Sequence, residues 1–433
     1  VRKLLKWISR TIVKIFFREI IIEGADSLPD SRPTIFTPNH PNELLDPLLM
    51  QYCIKESTVT FVAKAPLFKI PIFGSILRAM GAIPVIRRMD VNNVNVDYTE
   101  FFNACLDTLI NGDSIAIFPE GRSLPQPFLA PLRTGPARLF FLAKDNSIPV
   151  QIVPVGLNYE RGSIFRSSVL ISIAPPLDTT THEKEYLSEP SSAVRNLTDA
   201  IGETLDQRVF QAETYRDREL ILLLERLYTT EETYASSWAD RLDRLRAFES
   251  AIDQLRHTHS KQLDKIRHLL ARYQRISEMF QVDVIQQAKW KRSTKTFSIN
   301  IIGLFFASIG WVLNILPYKF IDLLITVTRK NESGAATAKI IWGLILFPLT
   351  YIIETIIIYK IFGGLAAIFF AIVIVPLTLF TLKFYEWREE HGISLPDDLQ
   401  ASSRVAVNLQ KLKERIVHEV DLLANELETL KQE

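Results

Sequence analysis

The chain predicts an α/β domain followed by a long helical, coiled-coil region and an α-helical transmembrane block. Three observations predict it. From about residue 33 to 175, short β-rich runs alternate with helical patterns. From about 216 to 288, Gly and Pro almost vanish under dense charge around a repeating apolar stripe. Three apolar runs then follow between 297 and 382, and each is long enough to span a bilayer, which takes about 20 residues. The 433 residues leave room for two or more domains. Hydrophobic content of 47% beside 23% charged residues is the average of these unlike parts. A net charge of +1 offers no global field for nucleic acid, so no nucleic-acid partner is expected.

The elements follow in order. Leu4, Leu5, Ile8, Ile12, Ile15 and Phe16 recur at helical spacing, with Arg2, Lys3, Lys6, Arg10 and Lys14 between them. This is a basic amphipathic helix, suited to an anionic membrane surface or to packing on the protein's own core. Charge interrupts its apolar run, which is not the pattern of a cleavable signal. Strands are expected at 34–37, 59–62, 83–86, 114–118, 152–155 and 169–173. Helices are expected at 92–110, 134–144 and from about 191 to 212. Leu242, Leu245, Ile252, Leu255, Ile266, Leu269, Tyr273 and Ile276 lie near heptad spacing. Leu409, Leu412, Ile416, Val420, Leu423, Leu427 and Leu430 step by three or four. Two such stripes want partners, and each other is the simplest choice.

Between the stripes, 297–316, 340–358 and 361–382 are the apolar runs, with Asn300, Asn314, Glu354 and Lys360 as polar breaks. Lys291, Arg292 and Lys295 precede the block; Arg329, Lys330 and Lys339 lie within it; Lys383 and Arg388 follow it. The positive-inside tendency puts all three clusters on the cytoplasmic side, which predicts hairpins at 297–328 and 340–382. The first run is then expected to fold back on itself. The resulting division is 1–30, an amphipathic membrane-associated helix; 31–212, the α/β domain; 213–295, a helical arm; 296–385, membrane helices; and 386–433, a C-terminal helix pairing with the arm.

Polar chemistry gathers at the strand ends, where α/β sheets carry their sites. Asn39-His40-Pro41-Asn42-Glu43-Leu44-Leu45-Asp46 supplies an imidazole and a carboxylate. Six residues apart, they do not share a helical face, so His40 belongs in a turn and Asp46 on the helix that follows. An imidazole oriented by a carboxylate can take a proton from an alcohol. Phe118-Pro119-Glu120-Gly121-Arg122-Ser123 supplies a glycine turn with a carboxylate and a guanidinium. Lys64, Arg87, Arg88, Arg122 and Arg133 also follow strands or open the next helix. Any one of them is ordinary surface charge; converging, they suit a phosphate ester. Glu120 can organise those arginines or the acceptor hydroxyls. Cys53 and Cys105 sit in apolar contexts and read as core thiols. No disulfide framework or metal-ligand spacing is present in the sequence, and no metal site is expected.

These blocks together resemble the phospholipid/glycerol acyltransferase family. His40 and Asp46 match its first motif; Gly81, Ile83 and Arg87 its second; Phe118-Pro119-Glu120-Gly121 its third; and Val153-Pro154-Val155-Gly156 its fourth. Arg133-Thr134-Gly135-Pro136-Ala137-Arg138 resembles the downstream extension of the third motif, and Lys64 and Pro71-Ile72-Phe73-Gly74 match a recurring stretch. The resemblance covers about 30–210. Five residues separate His40 from Asp46 where the common motif has four. That spacing, with Asn42 between and Pro47 after, resembles the yeast-type glycerol-3-phosphate/dihydroxyacetone-phosphate acyltransferases. Arg122-Ser123 stands where many lysophosphatidate enzymes have Thr-Arg.

The resemblance implies a glycerol-3-phosphate acyltransferase-like domain. It would transfer a fatty acyl group from acyl-CoA or acyl-carrier protein to the sn-1 hydroxyl of glycerol 3-phosphate or dihydroxyacetone phosphate. His40 and Asp46 would be catalytic, while Lys64, Arg87, Glu120, Gly121, Arg122 and Arg133 would bind substrate. The acyl thioester would be a co-substrate, with no cofactor. A lysophospholipid acceptor is the nearest alternative, and a catalytically silent lipid-binding scaffold is the alternative from another class. The expected partner is the lipid bilayer, and a homo-oligomer is left open.

Overall fold

A computed structural model describes residues 2–27, 32–54, 59–87, 96–228, 238–280, 294–328, 332–390 and 398–432. Contacts divide the chain into two units, Val1–Thr214 with Arg329–Ile340, and Tyr215–Thr328 with Ile341–Glu433. Arg88, Lys291, Arg292, Arg329 and Lys330, all singled out above, lie outside the described residues.

The first unit begins with α1 (Arg2–Phe16) and β1 (Glu19–Glu23). Then come β2 (Thr34–Pro38), α2 (Leu45–Cys53), β3 (Val59–Lys64), α3 (Phe73–Ala79) and β4 (Ile83–Val85). They are followed by α4 (Thr99–Ile110), β5 (Ser114–Ala116), α5 (Gly135–Asp145), β6 (Gln151–Tyr159), β7 (Ser168–Ile173), α6 (Thr180–Tyr186) and α7 (Pro190–Asp206). The seven strands form one sheet in the order β1-β7-β6-β2-β5-β3-β4. Five neighbours, from β6 to β4, run parallel, and β7 turns back antiparallel to β6.

Strand alternation sorts the core into two layers. Phe36, Ala116 and Val153 face one side; Ile35, Ile115 and Ile152 face the other. The first side packs on Val13 and Phe16 of α1, on Phe17 just after it, and on Leu45, Leu48 and Leu49 of α2. The second packs on α4, α5 and α7 through residues such as Leu109, Phe140 and Leu197. With both faces covered, the central strands read as continuous apolar runs rather than alternating ones.

One expected boundary is corrected here. Residues 1–30 are not a free-standing amphipathic helix, because α1 stops at Phe16 and β1 joins the sheet beside β7. Three β-branched isoleucines make Glu19-Ile20-Ile21-Ile22-Glu23 a strand, and its flanking charges hide that in the sequence. Val13, Phe16 and Phe17 are core, whereas Leu4 and Trp7 are exposed.

The second unit holds α8 (Tyr215–Tyr228), α9 (Trp238–Thr258), α10 (Ser260–Phe280) and α14 (Asp398–Gln432). The expected single arm over 213–295 is thus at least three helices. Two buried carboxylates on α8 tie them: Asp217 to Arg256 (3.0 Å) and Arg267 (2.8 Å), and Glu225 to Arg241 (3.1 Å) and Arg244 (3.3 Å). The tail helix α14 packs on α10, where Lys265 Nζ meets Glu419 at 2.6 Å, and the Tyr228 hydroxyl donates to the Val417 carbonyl. Leu242, Leu245, Ile252, Leu255, Ile266 and Tyr273 are buried on the arm, as are Leu409, Leu412, Ile416 and Leu423 on the tail. In α10, Leu270 rather than Leu269 takes the buried position.

Three long apolar helices complete the chain: α11 (Thr294–Thr328), α12 (Glu332–Phe362) and α13 (Gly364–Glu390). Each contains a stretch long and apolar enough to cross a membrane. The expected fold-back of 297–328 is not found. Residues 294–328 form one continuous helix that carries Pro317 inside it. Proline is tolerated in an apolar helix when neighbouring groups satisfy the freed backbone.

Helices α11 and α13 lie antiparallel. A Cβ on Gly303 would fall 2.1 Å from the Phe384 ring, and one on Gly310 would fall 2.0 Å from Thr381 Oγ1. Small residues at these two positions let the backbones approach. Asn314 Nδ2 donates to Thr378 Oγ1 (2.9 Å), and the Tyr351 hydroxyl of α12 donates to Asn314 Oδ1 (2.7 Å). The chain therefore enters α11 and leaves α13 at the same end.

Candidate active site

Parallel pairing aligns the carboxyl ends of β6, β2, β5, β3 and β4 along one edge of the sheet. Tyr159 closes β6, His40 follows β2, Glu120 follows β5, Lys64 closes β3 and Arg87 follows β4. The sheet thus collects residues that are as much as 119 positions apart in the chain, from His40 to Tyr159.

The turn after β2 is built by its asparagines. Asn39 Nδ2 donates to the Leu157 carbonyl (3.2 Å), and Leu157 N donates to Asn39 Oδ1 (2.6 Å). This adds one more rung between β2 and β6 before the chain turns. Leu45 then opens α2, which places Asp46 in its first turn with no exposed surface. His40 Nδ1 lies 2.7 Å from Asp46 Oδ2. The same oxygen accepts from Asn42 N (2.7 Å), and the Tyr159 hydroxyl donates to Asp46 Oδ1. A carboxylate only accepts, so Nδ1 carries the proton and Nε2 is left as the basic nitrogen. Phe118 stacks on the imidazole with centroids 4.0 Å apart. One edge of His40 stays accessible, at 16% side-chain exposure against 0% for Asp46.

The turn after β5 wraps the first. Glu120 Oε1 accepts from His40 N (2.6 Å), and its Oε2 accepts from Ala130 N (3.1 Å). Ser123 Oγ accepts from Glu43 N (2.8 Å), and Leu124 N donates to the His40 carbonyl (3.1 Å). Burial pushes the Glu120 carboxyl up, opposed by the two backbone donors and by His40. Burial, then the Asp46 charge, pushes the Tyr159 hydroxyl well above its ordinary range, so it stays a donor.

The sequence-predicted phosphate residues fall into two groups. Arg87 Nη1 donates to the Gly121 carbonyl (3.2 Å), and Arg133 Cγ lies 3.4 Å from where a Cβ on Gly121 would stand. Gly121 holds φ at +71°, which favours glycine. Arg87, Gly121 and Arg133 are therefore one cluster. Lys64 and Arg122 are exposed, and Lys64 sits in register with Val85, two residues before Arg87. Glu120 lies with His40 rather than with the arginines. It organises the turn's backbone by accepting from His40 N and Ala130 N.

Residues that sequence reasoning missed are the supports. Tyr159 ends the apolar run Val153-Pro154-Val155-Gly156-Leu157-Asn158-Tyr159, and a tyrosine at the carboxyl end of a buried strand was the available signal. Gly156 serves packing, since a Cβ there would lie 2.1 Å from the Arg208 carbonyl oxygen. Among the described residues, no group of three or more His, Cys, Asp and Glu can hold a metal ion.

Residues 19–158 match the Acyltransferase family profile, and they include His40, Asp46, Arg87, Glu120, Gly121 and Arg133. This stretch of the chain is an acyltransferase domain of that family. The chain is 23% identical over 309 residues to an uncharacterized acyltransferase of Schizosaccharomyces pombe, covering 51% of this chain and 46% of that protein. It is 22% identical over 313 residues to glycerol-3-phosphate O-acyltransferase 1 of Saccharomyces cerevisiae, covering 52% and 41%. It is 28% identical over 152 residues to the chloroplastic 1-acyl-sn-glycerol-3-phosphate acyltransferase BAT2 of Brassica napus, covering 35% and 40%. The chain thus spans less than half the length of these relatives.

Proposed function

We propose that the protein is a membrane-bound O-acyltransferase of phospholipid synthesis. It moves a fatty acyl group from acyl-CoA or acyl-carrier protein to the sn-1 hydroxyl of glycerol 3-phosphate or dihydroxyacetone phosphate. The observation that carries this reading is the His40–Asp46 pair, 2.7 Å apart, held inside a turn that also presents Arg87, Gly121 and Arg133. His40 Nε2 takes the hydroxyl proton as the oxygen attacks the thioester carbonyl. The thiolate leaves, and the proton passes from the imidazolium to it. Asp46 supports the imidazolium, and the arginine cluster holds the acceptor's phosphate. The thioester is a co-substrate, and the chemistry asks for no cofactor. The basic flank formed by Lys383 and Arg388 supports a cytoplasmic catalytic domain and tail.

The similarity to the Brassica napus protein supports a second acceptor, a lysophospholipid. A panel of labelled glycerol 3-phosphate, dihydroxyacetone phosphate and lysophosphatidate, with acyl-CoA as donor, separates the readings. Purified protein is expected to acylate glycerol 3-phosphate or dihydroxyacetone phosphate fastest, and His40→Ala to lose about 10²–10⁴-fold. A lysophosphatidate preference moves the assignment to the second reading. A folded, lipid-binding protein that acylates none of the three is a silent scaffold.

A further inference from the structure

We propose that Lys339, at the start of α12, is a positioning residue for the catalytic turn and acts through the loop between β6 and β7. The proposal deepens the reading above and rests on His40 and Asp46 being the reacting pair. Lys339 Nζ donates to the Ser163 carbonyl at 2.7 Å. On the adjoining peptide, the Gly162 carbonyl accepts from Asn42 Nδ2 at 2.7 Å. Asn42 N in turn donates to Asp46 Oδ2, the oxygen that faces His40. Lys339, the loop, Asn42, Asp46 and His40 form one connected path.

The approach of Asn42 to the loop is close. A Cβ on Gly162 would stand 2.9 Å from Asn42 Nδ2. The loop's far end is tied down independently. Ser167 Oγ donates to the Arg161 carbonyl (2.8 Å), and Arg166 Nη1 donates to the carbonyls of Lys14, Ile15 and Phe17 at the end of α1. Lys339 therefore supplies the second support of a segment already held at one end.

The first turns of α12 are seated to do this. Ala336 and Ile340 are buried in the core layer that contains Leu45, Leu48 and Leu49 of α2. Gly334-Ala335-Ala336-Thr337-Ala338 are all small residues. Thr337 Oγ1 lies 3.4 Å from Leu44 N, next to the residue that opens α2. By sequence, Lys339 is one of the basic charges around the membrane block. In the fold, its ammonium donates to the Ser163 carbonyl. A charge-assisted hydrogen bond of this kind is stronger than a neutral one and is directional enough to set a loop.

The test uses the full chain in detergent with Lys339→Ala and Lys339→Arg. Lys339→Ala is expected to lower kcat about tenfold, within the range that small misplacements of reacting groups cost. The KM values for acceptor and donor should stay within about twofold, because neither binding group is touched. Lys339→Arg should recover most of the loss, since a guanidinium can donate to the same carbonyl. Hydrogen–deuterium exchange is expected to rise in 160–167 and 39–46 of Lys339→Ala, while the rest of the sheet keeps its protection. Unchanged kcat, no rescue by arginine, or exchange rising across the whole sheet overturns the proposal. If the wild-type protein acylates no acceptor, the acyltransferase reading fails. The exchange comparison then still decides whether Lys339 holds the catalytic turn.

Discussion

The Tyr159 hydroxyl donates to one oxygen of Asp46 while His40 Nδ1 faces the other at 2.7 Å. Asp46 has no exposed surface, so Tyr159 satisfies a lone pair that water does not reach. Tyr159→Phe leaves that oxygen unpaired beside the imidazole. The expected outcome is a kcat about tenfold lower with KM unchanged, and a stability loss of about 1–3 kcal/mol. Steady-state kinetics and thermal unfolding in detergent check both. A Phe variant with wild-type kcat would show that Asn42 and His40 alone orient Asp46.

Glu120 predicts a pH effect. Burial raises its carboxyl pKa in the folded protein above the ordinary value. The folded state then holds the proton more tightly than the unfolded chain does. The resulting stability is fully present below the ordinary carboxylate pKa and is lost as pH rises through the raised value. Glu120→Gln removes this slope. Melting temperatures from about pH 4 to 7 should converge or cross as the wild type loses its contribution. A difference that does not vary with pH rules the assignment out. The amide can accept from only one of His40 N and Ala130 N, so activity should also fall, by about tenfold.

Arg87 and Arg133 flank Gly121, and they are expected to bind the acceptor's phosphate in the ground state. Arg87→Ala should raise the acceptor KM about tenfold and leave the donor KM alone. Arg133→Ala should act in the same direction, and the double variant should lose less than the sum, because neighbours on one phosphate are coupled. A rise in the donor KM instead would assign the pair to the thioester's phosphates.

The antiparallel α11 and α13 predict that arm and tail lie on one side of the membrane. Cysteines introduced at Ser250 and Glu419 should label from the same face of sealed vesicles. The native thiols give little background, since burial pushes both Cys53 and Cys105 up to about 12. Labelling from opposite faces would exclude the α10–α14 packing as the native arrangement.

Most of the sheet was legible because its strands are short, β-branched and punctuated by turns. Thr34–Pro38, Val59–Lys64, Ile83–Val85, Ser114–Ala116 and Ser168–Ile173 fall within a few residues of their expected runs. Strand β1 was not read, because two glutamates frame three isoleucines at the end of a basic helix, and only pairing with β7 makes them an edge. The hairpin expected at 297–328 rested on basic flanks. The structure instead carries one helix through Pro317.

By itself, the sequence determined the α/β class, the apolar helices, and the residue types of the site with their order. These depend on local pattern and composition, which act over a few residues. It also placed His40 in a turn and Asp46 on the helix after it, because their spacing admits no shared face. Only the tertiary structure decided which supports surround that pair. Tyr159 and Glu120 reach it from 113 and 80 positions away, measured from Asp46 and from His40, and Lys339 meets the Ser163 carbonyl of the loop between β6 and β7 from 176 positions away. Such neighbours are created by parallel strand order and by a helix returning to α2, and no short-range periodicity encodes either.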